Sequence, residues 1–297
     1  IDTFKDFADE IIATQKGDDW IDGISGGGQK ASLDVNLASE SLKVSGIPGI
    51  GSASLKVRDF EHIKGSDTAD TMVGSALANK LYGNDGNDSI DGGSGNDDIQ
   101  GGAGNDKLKG STGNDNLQGG EGNDSLDGGS GNDILQGNGG DDVMLASAGN
   151  DTYTFGSGQD TIDYSGLNTS ISLVRGGTVD KGTLGTDIFK DFYSTIKATK
   201  NSGDWIDGLT GGGKIASLNA DLSTNSLDIS RLPGVGNVSF NVQNFENVKG
   251  SDTADTIKGD SNNNILQGNG GDDVMLASAG NDTYTFGSGK DTMDYSG

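Results

Sequence analysis

Fourteen aspartates fall at the same point of a nine-residue period: Asp70, Asp88, Asp97, Asp106, Asp115, Asp124, Asp133, Asp142, Asp151 and Asp160, then Asp255, Asp273, Asp282 and Asp291. Asn79 and Asn264 hold the two remaining points of the series. A carboxylate is a hard oxygen donor, and Asp presents it on a short stem that suits tight turns, whereas Glu favours helices. Of the 45 acidic residues only five are Glu. A merely solubilising surface has no reason for that bias, so the pattern points to ligation of a hard divalent cation. Zinc would want His or Cys, and the chain has one His and no Cys. Magnesium asks for stricter octahedral geometry than a flexible set of turn oxygens offers, which leaves calcium as the fitting ion.

Other nucleophilic or acid–base chemistry finds few candidates. His62 is the single histidine and its counterpart in the second copy is Asn247, so neither a triad nor a two-histidine zinc helix can be assembled. Gly23-Ile24-Ser25-Gly26-Gly27 fits the Gly-x-Ser-x-Gly nucleophile pattern literally, but Thr210 replaces the serine in the second copy and the surroundings are glycine-rich. We read that match as coincidence, expect no catalytic and no organic-cofactor residues, and read the chain as no enzyme. Asp22, Asp163, Asp207 and Asp294 read as turn or strand residues, and Trp20 and Trp205 as packing aromatics.

The elements that must hold the aspartates follow from the same period. Two places after each of the sixteen row positions stands Met, Leu, Ile or Tyr, from Met72, Leu81 and Ile90 through Met293. Glycine, 53 residues in all, fills the intervening turns. Each nonapeptide thus offers a six-residue glycine turn and a three-residue strand with one inward side chain. A longer period overlies this one. Asp19-Trp20-Ile21-Asp22-Gly23 returns as Asp204-Trp205-Ile206-Asp207-Gly208 at an offset of 185, while Ile134 to Gly158 returns as Ile265 to Gly289 at an offset of 131. The offsets differ by 54 residues, six whole nonapeptides, as expected if the unit gained or lost is a physical rung.

Units such as Gly92-Gly93-Ser94-Gly95-Asn96-Asp97-Asp98-Ile99-Gln100 resemble the Gly-Gly-x-Gly-x-Asp-x-U-x repeat of the RTX, or haemolysin-type calcium-binding, family. The resemblance covers about half the chain and implies an all-β fold: a right-handed parallel β-roll in which two nonapeptides make one turn and residues 18 apart stack. The organisation expected is two tandem modules: a β-rich leading region at 1–64, a roll of eleven nonapeptides at 65–163, a linker at 164–187, a second β-rich leading region at 188–249 and a shorter roll of five nonapeptides at 250–297. Phe4 to Thr14 has some helical spacing, although the Asp-Trp-Ile-Asp-Gly after it suggests an early start to the solenoid. Stacking would crowd the fourteen row aspartates into repulsive files unless a cation sat between neighbours, and twelve gaps imply about twelve Ca²⁺, roughly +24 against a net charge of -25. One inward aliphatic residue in nine cannot offset the ordering of the other eight, so the roll is expected to need its metal.

That charge also sets the partners: nucleic acid and anionic membranes would repel the chain, and no apolar run approaches a membrane span. RTX relatives leave the cell by type I secretion, which implies a bacterial protein that is secreted, extracellular or at the cell surface. The duplicated module and the abrupt ends of the sequence suggest part of a longer structural protein. Its Thr3-Phe4-Lys5-Asp6-Phe7, Asp19-Trp20-Ile21-Asp22-Gly23 and Asn244-Phe245-Glu246-Asn247 segments are similar to cyanobacterial RTX surface and fibril proteins. Self-association into a layer, sheath or fibril, with surface polysaccharide as a further partner, is the leading expectation; an adhesin stalk and the calcium-folded secretion module of a larger enzyme are the alternatives.

Overall fold

The computed structural model describes residues 10–12, 19–22, 31–47, 51–174, 177–190, 194–200, 203–208, 217–232 and 236–296. Among them there is no α-helix, only two short 3-10 turns at Gly182–Leu184 and Leu222–Thr224 amid strands of three to eight residues. No helix is long and apolar enough to cross a membrane among the described residues. The chain divides into two compact units, Ile1–Gly158 and Gln159–Gly297.

In the first unit the strands pair in parallel with those eighteen residues on. Lys80–Asp85, Asp98–Ala103, Asn116–Glu121, Ile134–Gly139 and Thr152–Ser157 form one file. Thr71–Val73, Ser89–Ser94, Lys107–Thr112, Ser125–Asp127 and Val143–Leu145 form the other. Alternate nonapeptides therefore feed opposite sheets, and the fold is a parallel β-roll, all-β as the repeat implies. Met72, Leu81, Ile90, Ile99, Leu108, Leu117, Leu126, Leu135, Met144 and Tyr153 fill the space between the sheets, each at most 2% exposed. The strand alternation buries every second residue, so one side chain per rung enters the core.

The leading region is a wider set of rungs. Ser32–Asn36, Ser41–Ile47 and Gly51–Arg58 form an antiparallel meander, with Ser32–Asn36 also laid parallel to Thr71–Val73. Trp20–Asp22 pairs in parallel with His62–Lys64, which pairs with Lys80–Asp85, so the solenoid does begin early. The helical spacing of Phe4 to Thr14 gives no helix where it is described: Glu10–Ile12 is a strand parallel to Lys56–Arg58. An extended partner strand outweighs the weak local preference of three residues. Gly23 to Gly27 and Thr210 lie outside the described residues.

The second unit repeats the plan. Ser217–Asp221, Ser226–Leu232 and Gly236–Gln243 form the meander, and Ser217–Asp221 lies parallel to Thr256–Lys258. Trp205–Asp207, Asn247–Lys249, Ile265–Gly270 and Thr283–Ser288 stack in parallel, as do Thr256–Lys258, Val274–Leu276 and Thr292–Asp294. The stretch expected as a linker carries strands of its own. Ser172–Val174, Thr178–Asp180 and Thr186–Phe189 run antiparallel, pinned by the fully buried pair of Lys181 and Asp187, 2.5 Å apart, with the Tyr164 hydroxyl donating to the other Asp187 oxygen at 2.8 Å.

Candidate metal centre

Each row aspartate but Asp160 sits at the end of a glycine turn, immediately before the strand whose core residue follows two places later, and the stacking of turns brings these side chains into files. In the first unit one file is Asp70, Asp88, Asp106, Asp124 and Asp142, each linked by a backbone N–H of one residue to Oδ1 of the residue eighteen on, at 2.7–2.8 Å. The other file is Asn79, Asp97, Asp115, Asp133 and Asp151, at 2.8–3.0 Å. In the second unit Asp255, Asp273 and Asp291 form one file and Asn264 and Asp282 the other. Asp160 lies buried at the start of the Asp160–Asp163 strand.

One oxygen of each interior carboxylate is thus used by the neighbouring turn, and the second is not. Oδ2 of Asp88, Asp97, Asp106, Asp115, Asp124, Asp133 and Asp273 is buried without a hydrogen-bond partner. A buried carboxylate oxygen with no donor is costly. These oxygens lie over glycines: a Cβ placed on Gly83 would stand 2.2 Å from Asp88 Oδ2 and 2.4 Å from the Gly101 carbonyl oxygen, and one on Gly268 would stand 2.4 Å from Asp273 Oδ2 and 2.5 Å from the Phe286 carbonyl oxygen. Carboxylate and backbone oxygens therefore line a cradle that any side chain would fill. Among the described residues no three His, Cys, Asp or Glu side chains gather at one point. A cation here would draw on one file of carboxylates and on turn carbonyls, an all-oxygen set of the hard type that calcium accepts.

The electrostatics agree. Burial first, moderated by the N–H each accepts and aggravated by neighbouring aspartates, pushes Asp88, Asp124 and Asp133 up to about 7 and Asp97 up to about 6. Asp106 and Asp115 are also raised by burial. A carboxyl whose folded pKa is raised favours the fold below its unfolded value of about 4 and loses that contribution as pH rises through the folded value. The metal-stripped rolls are accordingly expected to be less ordered at pH 8 than at pH 5, as circular dichroism will show. Protons and cations compete for the same oxygens, so calcium affinity should fall between pH 8 and pH 6 in a titration.

The ends of the files differ from the interior. Asp70 Oδ1 accepts the Leu33 N–H at 2.6 Å and Oδ2 the Ser66 N–H at 2.6 Å; Asp255 is held in the same way by Leu218 at 2.6 Å and Ser251 at 2.5 Å. Asp151 Oδ2 accepts from the Ser147 hydroxyl, and Asp282 Oδ2 from the Ser278 and Tyr284 hydroxyls. The sequence reading missed these serines, whereas the carbonyls beside the interior carboxylates are the turn oxygens it expected. Outside the files, Asp163 meets Lys197 at 2.8 Å and Asp207 meets Lys249 at 3.7 Å. Trp20 packs 4.9 Å from the His62 ring and 5.4 Å from that of Tyr82, while His62 Nδ1 accepts the Lys80 N–H.

The profile of the RTX calcium-binding nonapeptide repeat matches residues 64–99, 100–135, 127–162, 249–284 and 258–293. Over these segments the chain belongs to the RTX calcium-binding repeat family, and it is a calcium-binding repeat protein. No curated protein matches the chain.

Proposed function

We propose that this chain is a calcium-folded, extracellular structural repeat of a bacterial surface layer, sheath or fibril, without catalysis of its own. The observation that supports the calcium part is the set of buried Oδ2 atoms on Asp88, Asp97, Asp106, Asp115, Asp124, Asp133 and Asp273, spread over three files, that no protein group satisfies. With Asp142, Asp151 and Asp291 in the same files and Asp160 at the same point of the nine-residue period, they are the carboxylates we assign to calcium, which neutralises the stacked charge and lets adjacent turns close. Low intracellular calcium leaves such a chain unfolded and exportable, and abundant external calcium folds it outside the cell.

The structural role rests on the duplication. Two units carry the same meander and the same kind of files, the organisation of an array, and the leading segments are similar to those of cyanobacterial RTX surface proteins, of which the fibril protein oscillin is one candidate relative. Light scattering during a calcium titration tests this reading. Large ordered particles are the expected result; a chain that folds with calcium and stays monomeric would instead be a stalk or carrier module.

A further inference from the structure

Interior and leading rungs share a sequence pattern but not a backbone. At the second position of each interior nonapeptide whose carboxylate keeps an unsatisfied oxygen, the residue is left-handed: Asn84 (φ 80), Gly93 (φ 95), Gly102 (φ 116), Ser111 (φ 77), Gly120 (φ 126), Gly129 (φ 91) and Asn269 (φ 73). In the two leading nonapeptides of each roll the same position holds Ser66, Ser75, Ser251 and Asp260, none at positive φ. Their N–H groups turn onto the row side chain instead, reaching Asp70 Oδ2 at 2.6 Å, Asn79 Oδ1 at 2.7 Å, Asp255 Oδ2 at 2.5 Å and Asn264 Oδ1 at 2.9 Å.

The other end of each side chain is closed as well. Leu33 and Leu218 donate to Asp70 and Asp255. At Asn79 and Asn264 the preceding rung presents a carbonyl, not an N–H, and the side-chain amide donates to it: Nδ2 lies 2.6 Å from the Glu61 oxygen and 2.8 Å from the Glu246 oxygen. An aspartate there would set two oxygens against each other. The asparagines are therefore fitted parts, with a neutral donor where the backbone polarity has reversed.

We propose that the first two rungs of each roll, carrying Asp70 and Asn79 in one and Asp255 and Asn264 in the other, are metal-free caps, and that the calcium files begin at Asp88, Asp97 and Asp273. This rests on the calcium reading above and narrows it. Four of the twelve gaps, those following Asp70, Asn79, Asp255 and Asn264, are closed by protein donors, which leaves about eight ions. The same residue type serves both states, since Ser111 is left-handed and Ser66 is not; the meander strand above each cap, which supplies the Leu33 or Leu218 N–H, accompanies the difference.

Calcium stoichiometry by isothermal titration, checked by native mass spectrometry, tests the caps on the full chain. Asp70→Asn and Asn79→Asp should leave the number of bound ions unchanged, while Asp106→Asn should lower it by at least one. Loss of an ion in Asp70→Asn, or gain of one in Asn79→Asp, overturns the caps. Should these variants misfold, the calcium-loaded wild-type chain answers by hydrogen exchange: slow Ser66 and Ser251 amides support the caps, and fast ones overturn them. Wild-type protein that binds no calcium would instead remove the calcium reading itself.

Discussion

Stripped of divalent cations at pH 8, the two rolls are expected to lose their parallel β-structure, and to regain it with calcium but not with an equal concentration of magnesium. Three observations lead to that result. The core between the sheets is one side chain deep per rung, from Met72 to Tyr153 in the first unit, so apolar burial contributes little for each residue ordered. The carboxylates stacked between turns carry oxygens that no donor reaches, and their raised pKa values, about 7 at Asp88 and Asp133, report how unfavourable the charged, metal-free fold is at that pH. Each calcium site adds about 2.7 kcal/mol when the ion is about a hundredfold above its dissociation constant, and several sites in one file add together. Circular dichroism at pH 8 across a calcium titration is the measurement. A spectrum indifferent to calcium would overturn the metal-held roll.

Replacing Gly104 with alanine is expected to cost about 3 kcal/mol or more of stability in calcium. Gly104 has φ +139°, where an L side chain is strained, and a Cβ there would lie 1.6 Å from the Gly86 oxygen of the turn below. That oxygen belongs to the stacked backbone and cannot swing aside like the tip of a flexible side chain, so the two turns must part and the neighbouring carboxylates with them. Gly166→Ala is the control. A Cβ at Gly166 meets nothing within 4 Å, and the change should stay within about 0.5 kcal/mol. Urea denaturation of the two variants in saturating calcium separates them; equal midpoints would mean that close backbone stacking does not hold the roll.

The leading regions show where sequence reading becomes coarse. Alternation in Ala31-Ser32-Leu33-Asp34-Val35 reads as a half-buried strand, and it is one, but nothing in those residues says that Leu33 lends its N–H to Asp70, 37 residues away. The 164–187 stretch reads as a connector because it breaks the nine-residue period. Its strands form nonetheless because they pair antiparallel with each other, with no repeat to announce them.

By itself the sequence determined the rung. A nine-residue period with Asp, then an apolar residue two places on, and glycine in the turn leaves a chain no better arrangement than stacked turns, because only stacking gives each inward side chain an apolar neighbour and each strand a partner. It also determined the ion type, since forty aspartates without cysteine and with a single histidine offer only hard oxygen. Tertiary structure alone decided which rungs keep a buried carboxylate oxygen without a donor. Ser66 and Ser111 occupy the same place in the repeat, yet one directs its N–H onto the carboxylate and the other takes a left-handed conformation. The donors that complete Asp70, and the carbonyl that makes Asn79 the fitting residue, arrive from distant segments through the stack. A local period cannot carry that information, because hydrogen-bond satisfaction depends on what the neighbouring turn presents.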